Sequence, residues 1–160
     1  MDKALFTYFS ASGVTAKAAE ILADAIGADL YEIRPETPYT KADLNWMDKN
    51  SRSTIEINDK SFRPALADTN AAIENYDTIF VGFPIWWYVA PTIINTFLES
   101  YDFSGKKIVI FATSGGSGFG KTLEELEVSV PGNVQLIQGE LMNGTQTFEK
   151  VNAWVKNLAL

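Results

Sequence analysis

The sequence predicts a doubly wound α/β fold, a five-stranded parallel sheet with helices on both faces. Three observations carry that expectation. Short β-favouring runs alternate with amphipathic stretches of helical length along all 160 residues. Three of those runs are apolar almost without a break, as strands buried on both faces are. The loops after these three are rich in hydroxyls, aromatics or glycine. No repeat or linker interrupts the pattern, so one domain is expected, large enough to bury a real core.

Residues 4–9, ALFTYF, read as the first strand. Ser10-Ala11-Ser12-Gly13-Val14-Thr15 follows, with Ser12 a good helix N-cap and Gly13 able to turn tightly. Val14, Ala18, Ile21, Leu22 and Ala25 then recur at helical spacing. Residues 30–34 make a short second strand. Pro35 and Pro38 open a long polar excursion to about residue 66, with a helical piece over 41–50 that lacks a clean period. Trp46 and Met47 in it pack on core or on a ligand. Residues 70–76 read as a short helix, 78–83 as a buried strand, and 91–101 as a helix opened by proline. Residues 108–113 make another buried strand, 121–130 a Leu- and Glu-rich helix, and 134–141 an alternating edge strand. Phe148, Val151, Val155 and Leu158 form the stripe of a closing helix.

The chain has neither cysteine nor histidine. That excludes a thiol nucleophile, disulfides, a Cys or His metal site and any Ser-His or Cys-His arrangement, so redox or group-transfer chemistry must come from a cofactor. A net charge of −7 argues against nucleic acid and against an anionic membrane surface. It fits a basic protein partner, and it equally fits plain solubility. The longest apolar stretch, 79–91, contains Gly82 and Pro84 and falls short of the ~20 residues of a membrane span. With no basic segment before the first strand, a cytoplasmic protein is expected.

In doubly wound sheets ligands sit beyond the carboxyl ends of the strands. Residues 10–15 combine hydroxyls with the N–H groups and positive dipole end of a helix start, which suits a phosphate. Alone, the stretch reads more readily as a plain helix cap. Trp86-Trp87-Tyr88 sit in the second loop, where consecutive side chains cannot all face one way. A flat conjugated ligand or a protein partner would use them. Ser114-Gly115-Gly116-Ser117-Gly118-Phe119-Gly120 permits close backbone approach to a ligand, or is simply a flexible turn. Gly115 to Thr122 also matches the nucleotide pattern G-x-x-x-x-G-K-T, although no buried strand ends in the Asp that would help hold Mg²⁺. No G-x-G-x-x-G follows the first strand, and that strand does not end in the carboxylates of a phosphoacceptor domain.

Taken together, these loops resemble the flavodoxin family, its short Trp-rich bacterial members in particular, over essentially the whole chain. Residues 10–15 are similar to that family's T/S-x-T/S-G-x-T phosphate loop. The resemblance implies strand order 2-1-3-4-5 and FMN as cofactor. Its phosphate would be held by Ser10, Ser12, Gly13, Val14, Thr15 and Ala16. Its isoalloxazine ring would be flanked by Pro84, Ile85, Trp86, Trp87 and Tyr88 on one side and by Ser114, Gly115, Gly116, Gly118 and Phe119 on the other. Two departures stand out. The last loop lacks the tyrosine that stacks on the flavin in classical members, which leaves one ring face open. The aromatic loop lacks the glycine whose peptide turns toward N5 of the reduced flavin, which leaves two-electron chemistry open.

The implied function is a low-potential electron carrier docking on basic redox partners, either reductases or acceptor enzymes. An FMN-dependent oxidoreductase passing electrons from NAD(P)H to a quinone-type acceptor is the alternative, and an ATP- or GTP-binding module using Gly115 to Thr122 is a third. No Arg or Lys lies in the phosphate loop, and Lys17 is the nearest in sequence. Each uncancelled negative charge ~10 Å from the ring, at an effective dielectric of about 40, opposes an anionic reduced flavin by roughly 0.8 kcal/mol, or about 35 mV per electron.

Overall fold

The computed structural model describes residues 3–114 and 117–160. Its sheet contains β1 (Ala4–Tyr8), β2 (Asp29–Glu32), β3 (Thr78–Pro84), β4 (Lys107–Thr113) and β5 (Gln135–Leu141), in the order β2-β1-β3-β4-β5. All four pairings are parallel, with Phe6 opposite Leu30 and Phe80, and Phe80 opposite Val109. The chain runs outward from β1 to β2, then returns past β1 to β3. That reversal opens a crevice at the carboxyl ends of β1 and β3.

Alternation along the central strands divides the interior in two. Phe6, Phe80, Val109 and Phe111 face α1 (Val14–Ile26) and α5 (Phe148–Asn157), and the Phe6 and Phe80 rings stack at 4.2 Å. Leu5, Ile79, Val81, Ile108 and Ile110 pack with Ile93, Ile94 and Phe97 of α3 (Thr92–Glu99) and Leu126 of α4 (Thr122–Glu127). Every residue of β1 is buried, whereas most of edge strand β2 is exposed. Among the described residues, no helix is long and apolar enough to cross a membrane.

Several local expectations need correction. The buried stripe of α1 is Thr15, Ala18, Ala19, Leu22 and Ala23, so Val14 faces solvent; small side chains give the close approach to the sheet that Val14 and Ile21 would not. Residues 41–50 form turns, and the helix of this region is α2 (Arg52–Ile57), capped by Ser51, whose side chain accepts the Thr54 N–H. Residues 70–76 hold only a 3₁₀ turn, Ile73–Asn75, because Ala72 before it is left-handed at φ 52. The closing helix buries Val151 and Trp154. Its cap is Thr147, which leaves Phe148 in an outward first turn.

Helix α4 ends early, and the Ser129 hydroxyl after it donates to Glu99 at 2.6 Å. Glu99 also accepts from Arg63, at 2.9 and 3.1 Å. The Arg63 hydrogen bonds, helped by Ser129 against some burial, hold the Glu99 carboxyl below its usual range. A carboxyl depressed in this way contributes stability above its unfolded pKa and loses it as pH falls through the folded one. Because its side chain is 40% exposed, solvent screening keeps the effect below about 1 kcal/mol. Arg63→Ala is therefore expected to lower stability modestly at neutral pH. The gap from the parent should close as pH drops below the carboxylate range, read from urea melts across an acid series.

Candidate functional site at the carboxyl edge of the sheet

Beyond β1, the Ser10 hydroxyl accepts the N–H of Gly13 at 3.1 Å. Gly13, left-handed at φ 95, is the N-cap of α1, and no side chain caps the helix. Ser12 is thus exposed and not the cap expected from sequence, since the loop is closed on Gly13 by Ser10 instead. The first helical bond runs from the Lys17 N–H to the Gly13 carbonyl, at 3.1 Å. Among the described residues, nothing partners the N–H groups of Val14, Thr15 or Ala16. Three free donors and the dipole of a 13-residue helix therefore converge on this turn. The Thr15 side chain points the other way: it is buried, and its hydroxyl lies 2.8 Å from that of Thr113 at the end of β4.

After β3, Ile85 N–H donates to the Thr113 carbonyl at 2.9 Å, and Trp86 and Val89 exchange two backbone bonds of 3.0 and 3.1 Å. Trp87 and Tyr88 are then the corners of a two-residue turn, with φ of 49 and 65. Such turns ordinarily use Asn-Gly, and each bulky residue in this conformation costs about 1–2 kcal/mol. The turn is held from behind. The Tyr88 carbonyl accepts from Lys121 N–H (3.2 Å), with the Thr122 hydroxyl oxygen a longer 3.4 Å away, and a Cβ on Gly120 would lie 2.6 Å from that of Tyr88. Strain maintained by surrounding structure is characteristic of ligand sites. Trp86 turns inward, edge-on to Phe9 at 6.0 Å and Tyr39 at 5.6 Å, while Trp87 and Tyr88 turn outward.

A cleft of about 530 Å³ opens beside this turn, lined by Ile85, Trp86, Trp87, Tyr88 and Ser117 and, opposite, by Leu44, Trp46 and Ser53. The second wall was not read from the sequence. Trp46, 70% exposed, belongs to the cleft and not to the core. The excursion carrying it is closed at its base by a Pro35–Leu66 bridge. It is anchored by Glu56, only 5% exposed, which accepts from Arg52 Nε at 2.9 Å and from the Tyr39 hydroxyl. Arg52 also lies 3.8 Å over the Tyr39 ring and donates to the carbonyls of Thr37 and Pro38. Burial first, and then the bond to Glu56, push the Tyr39 phenol well above the ordinary tyrosine range.

Gly115 and Gly116 lie outside the described residues. At their flank, Ser114 N–H donates to Asn143 Oδ1 at 2.8 Å and the Ser114 hydroxyl to the Ser117 carbonyl at 2.7 Å. Asn143, which fastens the loop to the end of β5, carries no sequence signal beyond its place after a strand. Gly118 is exposed, but Phe119 is buried in the core and does not line the cleft. Thr122, fully buried, donates to the Phe119 carbonyl. The hydroxyl that the nucleotide pattern would place on Mg²⁺ is therefore turned inward.

The strand order, with a donor-rich turn and an aromatic cleft at its reversal, defines the flavodoxin-like class of α/β folds. The flavodoxin family model matches residues 3–158, and the chain belongs to that family. It is 47% identical to a candidate flavoprotein of Bacteroides eggerthii, covering 99% of this chain and 98% of that one, with a TM-score of 0.92. A candidate flavoprotein of Bacteroides uniformis is 48% identical over 96% and 97% of the two chains, with a TM-score of 0.89. A flavoprotein of Lactobacillus acidophilus, solved in complex with FMN, shares the fold at 23% identity over 97% and 99%, with a TM-score of 0.71. A search among curated proteins found no match.

Proposed function

We propose that the protein binds FMN at this edge and works as a low-potential electron carrier for basic redox partners. The observation that carries the reading is the pairing of free N–H groups at Val14, Thr15 and Ala16 with an aromatic-walled cleft on the neighbouring strand. The residues present fit the cofactor: a phosphate suits the first, a planar ring the second. Family membership and the FMN bound by the Lactobacillus relative point the same way. In this chain Ser10, Ser12 and Gly13 would shape the phosphate turn, and Ile85 to Tyr88 would supply one side of the ring site. When bound, FMN supplies the redox chemistry that a chain without cysteine or histidine cannot. The protein contributes binding, orientation and a field of −7, which disfavours an anionic reduced ring and attracts basic partners.

The exposed Trp46, Trp87 and Tyr88 leave the cleft open to a second planar molecule, which favours the NAD(P)H:quinone-type alternative. One experiment separates the readings. The protein is expected to bind FMN on titration, with quenching of flavin fluorescence, and to stay oxidised when mixed anaerobically with NADPH until a reductase is added. Rapid bleaching with NADPH alone would replace the carrier by the oxidoreductase, and no FMN binding would end both.

A further inference from the structure

We infer that the wall from the β2–β3 excursion completes the flavin site, and that the Ser53 hydroxyl fixes the ring by bonding its polar edge. The inference rests on the FMN reading. Ser53 is 2% exposed, and its Oγ has no hydrogen-bond partner among the described residues. Buried hydroxyls are rarely left so, and because Ser53 belongs to the cleft wall, rotation of its side chain turns this one toward a partner that arrives with the ligand. The residue is held in place. Its N–H donates to the Asp43 carbonyl at 2.9 Å, and α2, which carries it, is anchored through Arg52, Glu56 and Tyr39.

The chemistry of the cleft makes this hydroxyl selective. Leu44, Trp46, Ile85, Trp86 and Trp87 offer apolar and π surface, which any planar ring would accept in several orientations. Of the polar side chains on the walls, Ser53, Tyr88 and Ser117, only Ser53 is both buried and without a partner among the described residues, and a polar group so placed orients the occupant. One end of an isoalloxazine carries carbonyl oxygens and a ring N–H, the other only methyl groups. A serine hydroxyl can donate to a carbonyl oxygen of the first end or accept from its ring N–H, and it gains nothing from the methyl end. Ser53 thus points the ring's polar end toward α2. The other two unpartnered buried side-chain groups among the described residues, Thr92 Oγ1 and Trp154 Nε1, do not belong to this cleft.

The test titrates the full chain and its Ser53→Ala variant with FMN and with riboflavin, following flavin fluorescence and the visible absorption of the bound form. Ser53→Ala is expected to weaken both ligands by the same factor, about tenfold, and to shift the bound absorption bands. Without flavin the variant should be at least as stable as the parent, since it loses an orphaned hydroxyl, while its gain in Tm on adding FMN should be smaller. Parent affinity with a parent spectrum would overturn the inference and leave FMN binding standing. Loss confined to FMN would put Ser53 on the phosphate and overturn it too. A parent that binds neither flavin would defeat the FMN reading itself. Should Ser53→Ala fail to fold, Ser53→Cys, whose thiol is a weak donor, is expected to give the same loss in both ligands, and parent-like binding by it would overturn the inference.

Discussion

Gly13→Asp is expected to weaken FMN binding about a hundredfold while riboflavin binding stays at the parent level. Gly13 sits at φ 95 between the Ser10 hydroxyl that receives its N–H and the free donors of Val14, Thr15 and Ala16. Nothing lies within 4 Å of a Cβ built there, so a side chain would project without collision into the space before the helix end. A carboxylate ~5 Å from a phosphate carrying about −1.5 to −2 charges, at an effective dielectric of ~40, is repelled by roughly 2.5–3 kcal/mol. That is on the order of a hundredfold in Kd. Gly13→Asn is the control, since asparagine has the same shape, tolerates the left-handed backbone comparably and carries no charge. The asparagine variant should bind FMN nearly as the parent does. Equal losses in both variants would trace the effect to backbone strain, and no loss in the aspartate variant would remove the phosphate from this loop. Fluorescence titration with both flavins decides it.

The parts of this protein that were legible from sequence are those where burial and chain position say the same thing. Strands β1, β3 and β4 are buried on both faces, so their apolar runs needed no context, and alternation with helices gave the sheet. Helix α2 is the opposite case. Its buried residues are Ser53, Thr54 and Glu56, and its isoleucine at 55 is exposed, so a search for apolar periodicity finds nothing there. The turn at Trp87 and Tyr88 was equally hidden, because left-handed residues are sought at Asn and Gly and not at two aromatics. The partner that holds it, the Gly120 to Thr122 segment, lies more than thirty residues away. Trp46 could not be assigned to core or ligand until the Pro35–Leu66 bridge fixed where its excursion folds back. Local chemistry therefore identified the loops at the sheet edge, while the second wall of the cleft emerged only from long-range packing.

That wall is predicted to depend on one cation. Arg52→Met keeps the aliphatic stem but removes the only Arg or Lys paired with Glu56 among the described residues. The Glu56 carboxylate is 5% exposed, and Arg52 is also the donor to the Thr37 and Pro38 carbonyls and the cation over the Tyr39 ring. Breaking a buried pair from one side typically costs 3–5 kcal/mol, because the remaining charge stays desolvated. With the Arg52 side chain still 23% exposed, about 2–3 kcal/mol is expected, read from urea melts at neutral pH. The double variant Arg52→Met/Glu56→Gln should recover part of that loss, since it removes the stranded charge while glutamine can still accept from Tyr39. The damage should also reach the cleft. Tyr39 packs edge-on against both Phe9 and Trp86, so loosening it frees the inward tryptophan behind the strained turn. Arg52→Met is accordingly expected to lower riboflavin affinity as well as FMN affinity, whereas Gly13→Asp spares riboflavin. A destabilisation below about 0.5 kcal/mol, the range of an ordinary surface substitution, would show that the excursion is held by something other than this buried pair.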